Sequence, residues 1–95
     1  MFSFDRLVFT KTFNDAYATL SSEKQKQCDK ALRFLKKNPQ HPGLRLKPIL
    51  PAKVYYEASI NMADRIVLRP DGNVARLIDA VTHDKIVRYG SGKAR

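Results

Sequence analysis

The sequence predicts an α+β fold in which one strand, two helices and three further strands follow one another, with the sheet packed against the helix pair. A short apolar run comes first, and two segments with apolar residues at helical spacing follow it. The C-terminal half then holds segments in which apolar and polar residues alternate, as they do in strands. With 95 residues, the chain is expected to form a single domain over residues 1–95.

The first strand is predicted over residues 4–10, around the apolar run Leu7-Val8-Phe9. Thr12 is predicted to be the N-cap of the first helix, because Asp15 follows it three residues later as in a capping box. One apolar face of that helix is formed by Phe13, Ala16, Tyr17 and Leu20.

A second helix is predicted to begin at Ser21-Ser22, with Gln25 in the reciprocal capping position. Asn38-Pro39 should end it, since proline disfavours a helical residue before it. The apolar stripe of this helix comprises Cys28, Ala31, Leu32 and Leu35. The short connection predicts an antiparallel helix hairpin.

Residues 39–51 contain four prolines and one glycine, which predicts a connection with little regular structure. Alternation then predicts strands over residues 53–61 and 65–69, and a third, more apolar strand over residues 74–81. The segment Pro70-Asp71-Gly72-Asn73 is a strong turn signal between the last two. Consecutive strands with short connections predict an antiparallel meander.

The alternation also assigns side chains to the two faces of the meander. If Val54, Tyr56 and their even-numbered neighbours face the helices, Glu57, Arg65 and Arg69 must share the opposite face. A turn centred near Asn61 would place Glu57 almost directly across from Arg65. The sequence therefore predicts a charged pair on the face without helices.

The chain is strongly basic. Eighteen Lys and Arg residues against nine Asp and Glu residues give a formal net charge of +9. Asp29 is the one acidic residue between Lys24 and Lys53, and the tail adds Lys85, Arg88, Lys93 and Arg95. Clustered cations of this kind favour a polyanion or an acidic protein as partner, because each neutralised phosphate releases counterions. The alternative is an ordinary solvated basic surface.

The single cysteine, Cys28, excludes an internal disulfide and a Cys-based zinc site, and its place on the apolar stripe indicates a core residue. No metal or cofactor is expected. No apolar run approaches the roughly 20 residues of a membrane helix, and the N-terminus lacks a charged leader followed by a long apolar run. We therefore expect no membrane partner and a cytoplasmic location.

Three stretches together resemble the RelE/ParE toxin superfamily. Asn38 to Lys47 is similar to its NP-x-HP-x-L segment and the basic stretch after it. Val54 to Ile60, followed by Arg65-Ile66-Val67, is similar to its Y/W-E-A and R-I-x strands, and Leu77 to Asp84 resembles its L-L-D-x-x-x-H-D ending. The resemblance implies a RelE-like fold and a toxin that cleaves mRNA, usually on the ribosome, and is neutralised by a cognate antitoxin. Higher-order toxin–antitoxin complexes are implied as well.

Metal-independent RNA cleavage requires that the 2′-hydroxyl lose a proton, that the phosphorane charge be stabilised and that the 5′-oxygen gain a proton. By the resemblance, Arg65 would bind phosphate, His83 would act as acid or base and Glu57 as base or orienter. The alternatives are that Arg65 only pairs with Glu57, and that His83 only takes part in capping the next turn. Histidine suits proton transfer because its ordinary pKa lies near ~6.5.

The sequence and the resemblance together suggest five further residues that would contact RNA. Tyr89 matches a tyrosine thought to stack on the substrate, although it could equally anchor the C-terminus on the sheet. The other four are the basic residues Arg45, Lys47, Lys53 and Arg69.

The chain also departs from the family pattern. Tyr56 and Ala58 occupy the positions at which several mRNA-cleaving relatives carry lysines, and Asp64 replaces an aromatic residue before the arginine. Leu50-Pro51-Ala52 replaces the usual Lys-Gly connection. These departures keep two alternatives open: a non-catalytic toxin that binds DNA gyrase, as in the ParE branch, and a basic RNA-binding module without toxicity.

Overall fold

The chain folds into a five-stranded sheet with two α-helices on one face, as seen in a computed structural model that describes residues 2–93. Two 3₁₀ segments, Pro42–Leu44 and His83–Tyr89, complete the regular structure. The elements in chain order are β1 (Arg6–Phe9), α1 (Lys11–Ala18), α2 (Ser22–Lys37), β2 (Lys47–Pro48), β3 (Tyr56–Ser59), β4 (Asp64–Asp71) and β5 (Val74–Thr82).

The strand order in the sheet is β1-β5-β4-β3-β2. The predicted α+β fold and the antiparallel meander β3-β4-β5 are confirmed. The whole sheet is mixed, because β1 lies parallel to β5 at one edge. The two-residue strand β2 at the other edge was not predicted, since Lys47-Pro48 lies in a proline-rich stretch with no alternation.

A bulge in β5 changes the register of the β4–β5 pair. Val67 pairs with Asp79 and Leu68 with Leu77, so Ile78 is the additional residue. Thr10, which follows β1, binds the backbone at this point: its hydroxyl donates to the Leu77 oxygen at 2.8 Å and lies 3.2 Å from the Ile78 oxygen.

Thr10 is also the N-cap of α1, because its hydroxyl accepts a hydrogen bond from the Phe13 amide at 3.2 Å. The predicted N-cap, Thr12, was wrong: it lies exposed within the helix. Asp15 pairs with Lys11 at 2.7 Å on the surface and does not reach back to the cap. The helix begins before the predicted cap at Thr12, because the hydrogen bonds of Thr10 to β5 already fix that residue.

The helix hairpin forms as predicted, with one change at its turn. Ser21 caps α2 by accepting from the Lys24 amide, so Gln25 is not in the reciprocal capping position. The Gln25 side chain instead donates to the Tyr17 carbonyl at 3.0 Å, and the Tyr17 hydroxyl donates to Asp29 at 2.7 Å. The helix ends at Lys37 with Asn38 as its C-cap, as expected.

The main core lies between the helices and the sheet. Phe13, Cys28 and Leu35 from the helices meet even-numbered side chains such as Ile66 and Leu68 of β4, all fully or almost fully buried. Burying a large aliphatic side chain contributes about 1.5–3 kcal/mol. Burial, together with the nearby Asp29 carboxylate, raises the pKa of Cys28 from its ordinary value to about 12, so the thiol stays protonated as a core residue.

A second, smaller apolar cluster lies on the opposite face of the sheet. Tyr55 and Val67 from the sheet pack there against Ile49, Ile86 and Tyr89. The C-terminal segment, residues 83–92, therefore covers part of the face on which the sequence predicted the charged pair. Arg95 of the predicted basic tail lies outside the described residues.

Within residues 2–93, neither α-helix has the length and apolar content that crossing a bilayer requires.

The double role of Thr10 leads to a prediction. Thr10→Ala removes both the helix cap and the hydrogen bonds to the β5 bulge, so we expect the free energy of unfolding to fall by about 1–2 kcal/mol. Thr12→Ala is the matched control, because that hydroxyl does not cap the helix, and it should change stability by less than about 0.5 kcal/mol. Urea unfolding of both variants measures this, and equal losses would contradict the assignment of the cap.

Candidate functional site

The turn between β3 and β4, residues 60–63, organises the face of the sheet that lacks helices. The Asn61 side-chain oxygen accepts hydrogen bonds from the amides of Ala63 and Asp64, both at 2.8 Å. This Asx turn is closed by a bond from the Ile60 amide to the Asp64 carbonyl at 3.0 Å. The chain thus reverses over three residues and is centred near Met62.

Arg65, the first basic residue after the turn, binds the turn's own backbone. Its Nη1 group donates to the carbonyl oxygens of Asn61, Met62 and Asp64, at 2.7, 3.2 and 3.0 Å. Its Nε atom lies 3.4 Å from Oε1 of Glu57, and the two side chains are only 12% and 8% exposed. The guanidinium therefore holds the turn closed and compensates a nearly buried carboxylate at the same time.

The predicted pairing of Glu57 with Arg65 is confirmed, but not its register. Ser59 lies directly across from Arg65, and Glu57 lies across from Val67, so the pair is diagonal. The turn is centred one residue later than expected, because the Asx turn at Asn61 takes up residues 61–63. Diagonal neighbours remain within reach of a side chain as long as arginine.

Lys47 joins this pair from the edge strand. It pairs with Glu57 across the β2–β3 ladder, so the two side chains share a face of the sheet. Lys47 itself is exposed, whereas Glu57 is buried. The carboxylate consequently has the Arg65 guanidinium on one side and a lysine on the neighbouring strand.

His83 approaches from the end of β5. Its backbone amide donates to the Ala63 carbonyl at 2.7 Å, which attaches the start of the C-terminal segment to the β3–β4 turn. Its side chain is exposed. The backbone of His83 therefore makes the structural hydrogen bond. Its imidazole is not the group that attaches the segment to the turn. In the Thr82 to Asp84 stretch, the Thr82 hydroxyl donates to Asp84 at 2.6 Å.

A groove of about 470 Å³ lies where these elements meet. Glu57, His83 and Lys47 line it together with Asp84. The rest of its lining is apolar and includes Leu50 and Val87, whose relative exposures are 64% and 78%. The remaining lining residues are Pro48, Ile49 and Ile86.

Of the other residues suggested from the sequence, Arg45 lies nearest to this arrangement. With Arg65, Asn61 and Met62 it lines a neighbouring depression of about 340 Å³. Lys53 and Arg69 are exposed but are not among the residues that line the groove. Lys53 lies in the turn before β3 with a positive φ of 60°, and Arg69 lies across from Arg76 in the β4–β5 ladder.

Tyr89 does not offer a ring for stacking on a base. It is 2% exposed, packs edge-on against Tyr55 with 5.4 Å between ring centroids and donates a hydrogen bond to Asp79. Burial, and then the bond to Asp79, raise the pKa of its hydroxyl. The sequence-based suggestion that Tyr89 contacts RNA is therefore wrong in this conformation, and its alternative role as an anchor of the C-terminal segment is confirmed.

Two of the departures from the family pattern take on a different meaning in the structure. Tyr56 and Ala58 belong to the core on the helix side, so lysines at these positions would not reach the groove. Asp64 is 4% exposed and binds Lys24 of α2 at 3.1 Å and Asn61 at 2.9 Å. Asp64 therefore points away from the face that carries Arg65, because alternation sends neighbouring residues of β4 to opposite faces.

The groove combines groups that suit acid–base chemistry on a charged substrate. Glu57 is a carboxylate held by arginine, and His83 contributes an exposed imidazole. Lys47 and Arg65 supply positive charge beside them. Such an arrangement can deprotonate a hydroxyl and stabilise a developing negative charge.

Sequence reasoning missed the apolar part of this site. Leu50 and Val87 line the groove but lie in segments that show neither alternation nor helical spacing. Asp79, the partner of Tyr89, was also missed, because the bulge at Ile78 changes the side to which residues of β5 point. Asn61 was predicted only as the centre of the turn, although asparagine side chains commonly accept hydrogen bonds from the backbone two residues on in Asx turns.

Solved structures of toxins share this fold. A YoeB/ParE toxin from Agrobacterium tumefaciens is 20% identical, with a TM-score of 0.67 over 82% of this chain and 98% of that one. YafQ from E. coli is 13% identical, with a TM-score of 0.68 over 84% and 94%. The RelB–RelE antitoxin–toxin complex from Methanococcus jannaschii gives 18% identity and a TM-score of 0.65 over 86% and 96%. No family model matches the chain, and no curated protein matches it in sequence.

The chain therefore has the fold of the RelE/ParE toxins, as the sequence resemblance suggested. The match covers more than nine tenths of each of these neighbours, so the chain contains the whole of their fold. At these identities the likeness shows the fold alone.

The position of Tyr89 leads to a second prediction. Tyr89→Phe keeps the ring but removes the hydroxyl from Asp79, so the free energy of unfolding should fall by about 1–3 kcal/mol because a partly buried carboxylate loses its donor. Tyr55→Phe is a matched control on the partner ring. If Tyr89→Phe leaves thermal stability unchanged while weakening binding of single-stranded RNA, the anchoring role is wrong.

Proposed function

We propose that this chain is the toxin of a type II toxin–antitoxin system and that it inhibits translation by cleaving mRNA, on the ribosome or stimulated by it. The groove beside the β3–β4 turn would be the site of cleavage. The proposal rests above all on one observation: a carboxylate, an exposed imidazole and a lysine line one groove, with the Arg65 guanidinium bound to that carboxylate, on a sheet with the RelE/ParE toxin fold.

In this proposal the substrate supplies its own nucleophile, the ribose 2′-hydroxyl. Glu57 and His83 lie along the groove as an acid–base pair, and no metal ion or cofactor is required for the proton transfers. Arg65 acts mainly by holding Glu57 and the β3–β4 turn in place, because its Nη1 group is already bound to three carbonyl oxygens. Lys47 is the more accessible cation for a phosphate oxygen.

The chain would be silenced by a cognate antitoxin. One structure with this fold is an antitoxin–toxin complex. Because this chain has a net charge of +9, an acidic segment of the antitoxin would associate rapidly with its surface. The exposed Leu50 and Val87 at the groove offer apolar contacts for such a segment, which would thereby exclude mRNA.

A second candidate function is inhibition of DNA gyrase without catalysis. The observation in its favour is that Arg65 and Glu57 are nearly buried and bind each other, so they stabilise the fold whether or not chemistry takes place. A toxin that acts by binding needs only the shape and charge of its surface.

The test is the rate at which the His83→Ala variant cleaves mRNA on translating ribosomes. Loss of a general acid or base should lower that rate by about 10²–10⁴-fold without lowering thermal stability, because the imidazole is exposed. His41→Ala is the matched control, because the chain's other histidine stacks on Phe34 at 4.0 Å on the helix side and should leave the rate unchanged.

Two outcomes would contradict the proposal. If the His83→Ala and Glu57→Gln variants both cleave mRNA at the wild-type rate, the acid–base assignment is wrong. Induction that leaves mRNA intact while DNA breaks accumulate would replace mRNA cleavage with gyrase inhibition. Arg65→Ala is less informative, because loss of the turn contacts would lower activity through the fold alone.

A further inference from the structure

The solvent side of α2 carries a row of basic residues that takes no part in the groove. Lys26, Lys30, Arg33 and Lys37 follow one another at intervals of four, three and four residues, and all are exposed. At 3.6 residues per turn they lie within about 60° of arc. The buried residues Cys28 and Leu35 lie on the other side of the helix. We call these four residues the basic stripe.

No residue of the basic stripe forms an ion pair within the described chain. Asp29 flanks the stripe, but its carboxylate accepts a hydrogen bond from the Tyr17 hydroxyl. Like charges three and four residues apart repel one another on a helix. A polyanion lying along the stripe would relieve this repulsion.

The chemistry of this surface favours the phosphate backbone of a nucleic acid over a protein. The centre of a protein interface is usually apolar or aromatic and depleted of charge, whereas the stripe consists of cations alone. Phe34, beside Lys30, stacks on His41 with 4.0 Å between ring centroids and is half-buried. It therefore offers no open platform for an unpaired base, as single-strand binding requires.

The length of the stripe fits a duplex. Eleven residue steps along α2 correspond to about 16 Å, over which one strand of a DNA duplex presents about five phosphates, and the A-form RNA duplex, with its smaller rise per base pair, presents at least as many. The stripe lies on the helix side of the sheet and the groove lies on the opposite side. An RNA duplex on the stripe would therefore leave the groove open.

We propose that the basic stripe binds the phosphate backbone of double-stranded RNA without regard to base sequence. This surface would dock the protein on folded RNA while the groove receives a different, single-stranded segment. The binding does not depend on cleavage, so it holds even if the proposed function of the groove is wrong.

The test compares two quadruple variants that have the same net charge. K26Q/K30Q/R33Q/K37Q removes the stripe, and R6Q/K11Q/R76Q/K93Q removes four exposed cations elsewhere, so each lowers the net charge from +9 to +5. Binding to a blunt-ended, fluorescently labelled RNA duplex is measured by anisotropy over a range of salt concentrations. The slope of log K against log salt should become about 3 less negative in the stripe variant and change by less than about 1 in the control.

Raising the salt concentration from about 50 to about 200 mM should therefore lower the duplex affinity of the wild type about 100-fold more than that of the stripe variant. The melting temperature of the stripe variant should be equal or higher, because like-charge repulsion is removed. Equal slopes in the two quadruple variants would show that only net charge matters and would overturn the proposal. Unchanged duplex binding with loss of binding to an acidic protein partner would overturn it as well.

Discussion

The contacts of the Arg65 guanidinium hold together the part of the molecule on which the proposed chemistry depends. One side chain closes the β3–β4 turn through three carbonyl oxygens and lies 3.4 Å from the Glu57 carboxylate. Because the His83 amide binds the carbonyl of Ala63 in the same turn, the start of the C-terminal segment is positioned there too. A nearly buried carboxylate would be costly without its arginine, so the turn, the strand and the groove form one unit.

The two faces of the sheet have different roles. The helix face provides the main core, and the opposite face provides a smaller core beneath the C-terminal segment, with the groove beside it. The hydrogen bond from Tyr89 to Asp79 and the contact of Tyr89 with Tyr55 hold that segment on the sheet. The ring of Tyr89 is therefore used for packing and is not free to stack on a base. The cations of α2 point away from both cores, so the helices carry a basic surface that is separate from the groove.

Most of the fold could be predicted from local patterns, because helical spacing, alternation and caps act over a few residues. The end of α2 at Asn38 and the placing of Glu57 and Arg65 on one face are examples. What could not be predicted depends on distant contacts. Thr10 caps α1 because it is fixed against the β5 bulge, and β2 forms only because β3 offers an edge. The groove also needs Leu50 and Val87 from two separate segments, which no local pattern brings together.

The measurement that tests the central claim most directly is a double-mutant cycle on the free energy of unfolding, with Arg65→Ala, Glu57→Gln and the combined variant. If the two side chains form one unit, the double variant should be less destabilised than the sum of the single variants by about 1–3 kcal/mol. Additivity within about 0.5 kcal/mol would mean that Glu57 and Arg65 act independently. It would contradict the view that their pairing holds the groove in place.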